Sequence, residues 1–460
     1  YRWDEPNAAW VLTLWFGALV ATGPYMATIG VATALAVALW PARAGPAGAG
    51  ETALARPGGG PSQRRRAALL VAGAVAVNLV WLVPAVLHPS APGRGATPAS
   101  LFGARSDSPL GTVGSVLTLG GVWRSDLAPA GRSTIAWIPA AILIAAVAAL
   151  GWRRMGVATP WADGARTGLL VAAAVGLALA LAPGVPWAGR AMTWAIRTLP
   201  GGGVLRDSQK FAIPFALLVA VAFGLGIADL LGRVAGRTGA GALAIVLIAL
   251  PVALAPTLAW GAGGTLATSS YPDSWAAVER VTARDPIPGG ILILPWHAYV
   301  PFPWNRNRPV HQPAILFFSR PVLQSSALEL GTVTLPAEDP WARAATPAVE
   351  GPEALAPALP ALGVRYVLVF KVGDLRSLRS KTSGLRTVLD APDLVLYRAP
   401  PPGPIPAYPE PPSGAVVAGD LVAVGWLVLA AVTAVRGSRR KATGHPAGAV
   451  IGLEGPERLG

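Results

Sequence analysis

Apolar residues run along this chain in long unbroken stretches. Six of them, 67–87, 134–152, 167–184, 211–232, 240–260 and 418–435, are bounded by charge. Each is close to the roughly 20 residues a helix needs to cross a bilayer. The stretch from Ala8 to Trp40 is long for one crossing and short for two, and Gly23-Pro24 breaks it, because proline cannot sit inside a helix without losing a backbone bond. We read one span at about 24–41, preceded by a half-length or interfacial helix. The pattern predicts an α-helical polytopic membrane protein of about seven spans.

Between the sixth and last spans the pattern changes. A helix starts near Asp273 (DSWAAVERV), and apolar strands follow at ILILPW (291–296), VRYVLVFK (364–371) and LVLYR (394–398), with Pro-rich turns and helical stretches such as PEALAPALPAL between them. Strands alternating with helices predict an α/β domain, and at about 150 residues it is long enough for a core of its own.

Composition supports the membrane reading: 53% of residues are hydrophobic and only 13% charged, about half the charge of a soluble domain. That excludes a cytosolic enzyme. The net charge of +14 would suggest nucleic acid in a soluble protein, but the cations lie in clusters beside the apolar runs, so no nucleic-acid partner is expected. The clusters Arg43 to Arg66, Arg153 to Arg166, Arg233 and Arg237, and Arg436 to Lys441 fall on alternate connections, which the positive-inside rule makes cytoplasmic. This gives a transmembrane helical region over 1–260 with outer loops 88–133 and 185–210. An extracytoplasmic α/β domain over 261–416 follows, then a last span with a cytoplasmic tail over 417–460. The Gly/Pro-rich segment 45–63 reads as a flexible linker, and its three glycines lack the Lys-Ser/Thr of a phosphate loop. With no cysteine in the chain, disulfides and thiolate chemistry are excluded.

Candidate chemistry lies on the outer face. PGGGVLRDSQKFAIPF (200–215) brings Arg206, Asp207, Ser208 and Lys210 to the mouth of a span. Arg206 and Lys210 can hold a lipid phosphate while Asp207 takes a hydroxyl proton. The simpler reading is that Asp207 or Ser208 caps the helix and the cations reach for headgroups. Just upstream, Arg190, Thr193 and Arg197 recur at the spacing of an amphipathic helix lying on the membrane, with Arg190 and Arg197 as further candidate phosphate contacts at a lipid entry site; anchoring alone explains the pattern equally well. In FGARSDSPLGTVGSVLTLGGVW (102–123) a glycine-rich apolar piece is too short to cross, and Asp107, with Asp126 beyond it, is a further candidate base.

In the α/β domain, WHAYVPFPWNRNRPVHQ (296–312) reads as one loop-like stretch. It places Trp296, His297, Trp304, Asn305, Arg306 and His311 together as candidate sugar contacts, since sugar C–H faces stack on indole and hydroxyls pair with Asn and Arg. Packing of the same tryptophans on the core is the bland alternative. His297 and His311 lack any zinc spacing, so neither a metal nor another cofactor is expected. Within the spans only Asn78 and Asp229 are strongly polar, which speaks against an ion-coupled transporter.

Three motifs carry a family likeness: RDSQKF (Arg206 to Phe211) opening a span, LGVRYVLVF (Leu362 to Phe370), and DAPDLVLYR (Asp390 to Arg398) ahead of the last span. Over about 185–440 the chain resembles bacterial multi-span GT-C-type glycosyltransferases, nearest to arabinofuranosyltransferase-like and uncharacterised members of actinobacterial cell-envelope assembly. The resemblance implies transfer of a sugar from a polyprenyl-phosphate donor to an envelope glycan or lipid acceptor on the outer face, in contact with membrane lipids. In that family the base is an acid of the first outer loop, and the likeness here begins beyond it. The expectation is therefore a chain lacking the family's N-terminal part, with Asp4 and Glu5 as remnants of it. The alternative is a non-catalytic envelope scaffold or glycan-binding membrane subunit.

Overall fold

A computed structural model describes residues 8–40, 61–87, 98–124, 127–129, 131–155, 162–199, 201–234, 236–255, 266–330, 333–405 and 412–443. The chain forms two compact units, one helical and one α/β, the latter built on Thr257–Glu410.

The helical unit contains α1 (Ala8–Ala21), α2 (Pro24–Leu39), α3 (Pro61–Leu87), α4 (Gly111–Leu117), α5 (Trp137–Met155), α6 (Ala162–Leu181), α7 (Pro186–Thr198), α8 (Ile213–Leu231), α9 (Arg237–Ala253) and the C-terminal helix Ser413–Thr443. Gly23-Pro24 separates α1 from α2 as the sequence suggests. Gly23 takes φ +112, and Pro24 opens α2, where its missing N–H costs nothing.

Among the described residues, five helices are long and apolar enough to cross a membrane: 64–87, 137–155, 164–184, 208–231 and 413–436. The stretches at 24–41 and 240–260, read as spans above, appear as helices of 16 and 17 residues. At 1.5 Å per residue these reach about 25 Å, short of a hydrocarbon core of about 30 Å. Ile142, Val175, Ile245, Ile248, Leu421, Val424 and Val428 are exposed on the helices, the outward apolar surface that a lipid solvent requires.

Small residues let these helices approach closely. α5 and α8 meet at Gly151 and Gly226. A Cβ built at Gly151 would lie 1.8 Å from the Ala222 carbonyl oxygen, and one at Gly226 would lie 2.0 Å from that of Val147. The two polar residues inside apolar runs are satisfied. Asn78 donates to the Ala74 carbonyl and accepts from the Trp81 indole, both at 2.7 Å. Asp229 accepts from Arg154 of α5 at 2.6 Å and from Arg233 in the turn just after its own helix. Both are built into the bundle.

The α/β unit adds α10 (Asp273–Ala283), β1 (Gly290–Leu294), β2 (Tyr299–Pro301), β3 (Pro309–His311), α11 (Ala314–Phe317), β4 (Val322–Leu323), β5 (Leu328–Leu330), β6 (Val333–Leu335), α12 (Pro340–Glu350), β7 (Val364–Phe370), α13 (Leu375–Lys381), β8 (Arg386–Asp390) and β9 (Leu394–Arg398). The main sheet runs β4-β1-β7-β9-β8. β4, β1 and β7 are parallel, and β9 runs antiparallel to both of its neighbours, β7 and β8. Every residue of β1 and β7 is buried, as expected of parallel strands covered on both faces. On one face Trp341 and Ala345 of α12 join Leu292, Leu294, Leu355 and Leu359. On the other, Trp275 of α10 packs with Ile291, Phe302, Phe318 and Phe370.

Two local expectations are corrected. PEALAPALPAL forms turns rather than a helix, because Pro357 and Pro360 interrupt it. The crossover helix is α12, one step earlier. The stretch 296–312 is no single loop, since it folds into the antiparallel β2–β3 hairpin with Tyr299 opposite His311.

Candidate functional site

Between α6 and α8 the helical unit builds an assembly of short elements. The 3-10 turns Ala99–Phe102 and Gly202–Leu205 pack on α7 through Ala99, Met192, Ile196 and Leu205. The Thr193 hydroxyl donates to the Gly189 carbonyl at 2.7 Å and accepts the Ala99 N–H at 3.0 Å. α7 buries Gly189, Met192 and Ile196. Its opposite face carries Trp187, Arg190, Trp194 and Arg197, all exposed. Indoles and guanidiniums on one exposed face suit a helix at a membrane interface, where rings sit at headgroup depth and cations reach phosphates.

Beside this face lies a cleft of about 500 Å³, lined by Pro98, Ser100, Pro183, Pro186, Gly189, Arg190, Thr193, Trp194 and Arg197. Neither Arg190 nor Arg197 has a hydrogen-bonded or ionic partner among the described residues. They stand two turns apart, roughly 10 Å along the axis, and so offer two cationic contacts over a span that fits a phosphate-bearing headgroup.

RDSQKF forms the next turn. Arg206 lies over the Phe102 ring at 5.0 Å. Asp207 makes no capping hydrogen bond; its Oδ2 accepts from Lys210 Nζ at 2.7 Å. Lys210 also sits 3.8 Å from the centre of the Tyr25 ring, and the Tyr25 hydroxyl donates to the Gly203 carbonyl at 3.3 Å. Ser208 is fully buried and bonds the Ala180 carbonyl at 3.3 Å. Neither Asp207 nor Ser208 is therefore a helix cap. Arg206, Asp207 and Lys210 flank the α7 assembly without lining its cleft.

Asp107 is built into the loop it belongs to. Its Oδ1 accepts from Arg132 Nε at 2.8 Å and its Oδ2 from the Gly121 N–H at 2.7 Å. Arg132 also donates to the Ser115 carbonyl at 2.8 Å and to the Thr118 carbonyl at 3.0 Å, and lies over the Trp137 ring. Both side chains are almost wholly buried. This pair closes the loop ahead of α5, and nothing in the spacing of two residues 25 apart announces it. Asp4, Glu5 and Asp126 lie outside the described residues.

The residues read as sugar contacts are split by the hairpin. Trp304 joins the aromatic cluster of Tyr271, Trp275 and Phe302. Asn305 accepts from Ser269 and donates to the Arg308 carbonyl. Arg306 takes the left-handed conformation of the hairpin turn, at φ +56, and His311 packs edge-on against Tyr299. Trp296 and His297 fall elsewhere, in a crevice of about 660 Å³ beyond the end of β1, where His297 Nδ1 and Glu329 Oε1 are 2.7 Å apart. No cluster of three potential metal ligands exists among the described residues.

The chain is similar to the arabinofuranosyltransferase AftD from Mycobacteria, at 16% identity and a TM-score of 0.50 over 88% of this chain and 28% of that one. The likeness is one of fold. Two structures of a mutant of that enzyme align at TM-scores of 0.44 and 0.48, with 16% and 14% identity, over 85% and 86% of this chain and 30% and 29% of theirs. This chain thus spans less than a third of the length of the enzyme it resembles. No family model matches the sequence, and no curated protein matches it.

Proposed function

We propose that this chain is part of a membrane glycosyltransferase of GT-C type, which transfers a sugar from a polyprenyl-phosphate donor to an envelope glycan or lipid on the outer face. The observation that carries the reading is the α7 cleft. Two guanidiniums, Arg190 and Arg197, stand beside it on a helix face that also presents Trp187 and Trp194. A lipid-linked phosphate needs cations for its head at the depth where its chain enters the bilayer, and this face supplies both. In sugar transfer the same cations stabilise the charge that builds on the departing phosphate. Similarity in fold to a mycobacterial arabinofuranosyltransferase supports the sugar as the transferred group.

Among the described residues, no carboxylate lines the cleft. The reading gives the cleft to the donor phosphate and the acceptor proton to Asp207, which Lys210 holds at 2.7 Å. It also carries the seven-span topology, with 185–210 and the α/β domain outside and the C-terminus inside.

The test is transfer of radiolabelled sugar from a polyprenyl-phosphate donor by membranes carrying the intact gene product, compared with Arg190→Ala, Arg197→Ala and Asp207→Asn at matched expression. Loss of transfer in the arginine variants supports the cleft, and loss in Asp207→Asn supports the base. Unchanged transfer in all three sinks the site. Absence of transfer from the intact protein sinks the catalytic reading and leaves a glycan-binding envelope subunit.

A further inference from the structure

The α/β unit carries a crevice that the transferase reading does not use. It opens beyond the C-terminal ends of β1 and β7, adjacent parallel strands of the main sheet. From β1 the chain turns one way, through the β2–β3 hairpin and α11 to β4. It then crosses back through α12 to reach β7 on the other side of β1, and leaves β7 toward β8 and β9. The segments leaving β1 and β7 therefore diverge. In open α/β sheets this reversal of strand order leaves a gap at the strand ends, and ligands bind in it. Here the gap is a crevice of about 660 Å³, within the range of small-molecule sites.

The lining decides what kind of ligand fits. Phosphate is disfavoured on three counts. Asp374, after β7, uses its own carboxylate on the Arg376 N–H at the start of α13, the place where a nucleotide-binding fold would present free N–H groups to an anion. Lys381, the one lysine of the crevice, is consumed by the Ala348, Gly351 and Glu353 carbonyls at the end of α12. Glu329 and Glu350 add further negative charge. What remains are carboxylate acceptors, the His297–Glu329 pair, and the ring of Tyr299, which is 46% exposed. The Trp296 side chain is buried in the core cluster, so it supplies the crevice with no accessible donor. Acceptors for hydroxyl protons and an exposed ring for C–H faces together match an uncharged polyol.

We propose that this switch-point crevice binds a neutral glycan, gripping hydroxyls through Glu350 and Glu329 and stacking a sugar ring on Tyr299. The proposal goes beyond the transferase reading, because it requires binding and no transfer. It also separates Trp296 and His297 from Trp304, Asn305, Arg306 and His311, which the hairpin places outside the crevice lining.

The experiment is a titration of the full chain in detergent with a neutral arabino-oligosaccharide, followed by saturation-transfer NMR, and a parallel titration with a nucleoside diphosphate. Tyr299→Ala and Glu350→Gln are the test variants, since both side chains are exposed and their loss leaves the sheet intact. Saturable oligosaccharide binding is expected, weakened at least about tenfold in each variant and unchanged in Arg197→Ala. Absence of binding, binding that both crevice variants leave unchanged, or preferential binding of the diphosphate each overturns the proposal. Binding lost in Arg197→Ala and kept in the crevice variants moves the glycan to the helical unit and overturns it too. Crevice binding retained while the transfer assay fails removes the transferase reading alone.

Discussion

Asp285 ties three groups of the α/β unit together, so a single substitution there should be felt across it. Its Oδ2 accepts from Arg365 Nε at 2.8 Å and from the Tyr366 hydroxyl at 2.6 Å. Its Oδ1 takes the Ile287 N–H at 3.1 Å, and the Arg365 and Asp285 side chains are each 8% exposed. Burial by itself would raise the carboxyl, but the bonds from Tyr366, Arg365 and Ile287 outweigh it and hold the group at about 2. The same burial and the same bond push the Tyr366 phenol up. A depressed value means that the stabilisation is complete above the ordinary carboxylate range near 4, and drains away as pH falls through that range toward 2. Two pH units correspond to about 2.7 kcal/mol, and solvent near the domain edge reduces this to about 1–2 kcal/mol.

Asp285→Asn removes the charge and leaves Arg365 buried without a counter-ion, while the amide oxygen still accepts one bond. The expected loss is about 2–3 kcal/mol, below the roughly 3–5 kcal/mol of a fully buried pair. Each 1.4 kcal/mol is a factor of ten, so amides of β7 should exchange with deuterium roughly 30- to 150-fold faster at neutral pH. Between pH 5 and 3 the wild type should lose protection progressively and the variant should not. If β7 protection in Asp285→Asn matches wild type at neutral pH, or follows the same acid slope, the account of this triad is wrong.

Asp107→Ala strands the Arg132 guanidinium inside the loop ahead of α5 and should cost about 3–5 kcal/mol, seen as early proteolysis between 98 and 136; Asp107→Ala with Arg132→Met should recover much of it. Gly226→Val places a side chain where even a Cβ would meet the Val147 carbonyl oxygen at 2.0 Å. It should lower the melting midpoint in detergent by a loss of about 1–3 kcal/mol or more, whereas Gly224→Ala, with open space around it, should cost well under half of that. If Arg190 and Arg197 hold a donor phosphate, Arg197→Lys should keep much of the donor affinity and Arg197→Ala should raise the donor KM at least about tenfold, with the gap narrowing in high salt.

The parts of the fold written in single segments were readable from the chain. The long apolar runs could only be spanning or fully buried helices, and ILIL and VRYVLVF could only be strands covered on both faces. Gly23-Pro24 marked its own break. PEALAPALPAL misled because its leucines keep a helical rhythm that Pro357 and Pro360 cannot follow. The 296–312 stretch misled because the seven residues between β2 and β3 mark a turn less clearly than the aromatics unite the stretch. The pairs that define sites were invisible for a different reason. Asp107 with Arg132, His297 with Glu329, and Asp285 with Arg365 are joined only by the tertiary fold. For α7 the spacing of Arg190, Thr193 and Arg197 disclosed the helix, while the half-burial of Thr193 and the exposure of Trp194 required its neighbours.

The contact at Gly151 and Gly226 has mechanical meaning. Helices that touch through side chains can slide or roll, because rotamers rearrange to absorb the shift. Where one helix's backbone rests directly on the other's, there is nothing soft to deform. α5 and α8 therefore behave as one stiff beam, further clamped by Arg154 on Asp229. RDSQKF is fixed to one end of that beam through the 3-10 turn running into α8. Any rearrangement that opens or closes the α7 assembly must be taken up at looser seams, such as the Gly23 elbow, which has open space around it.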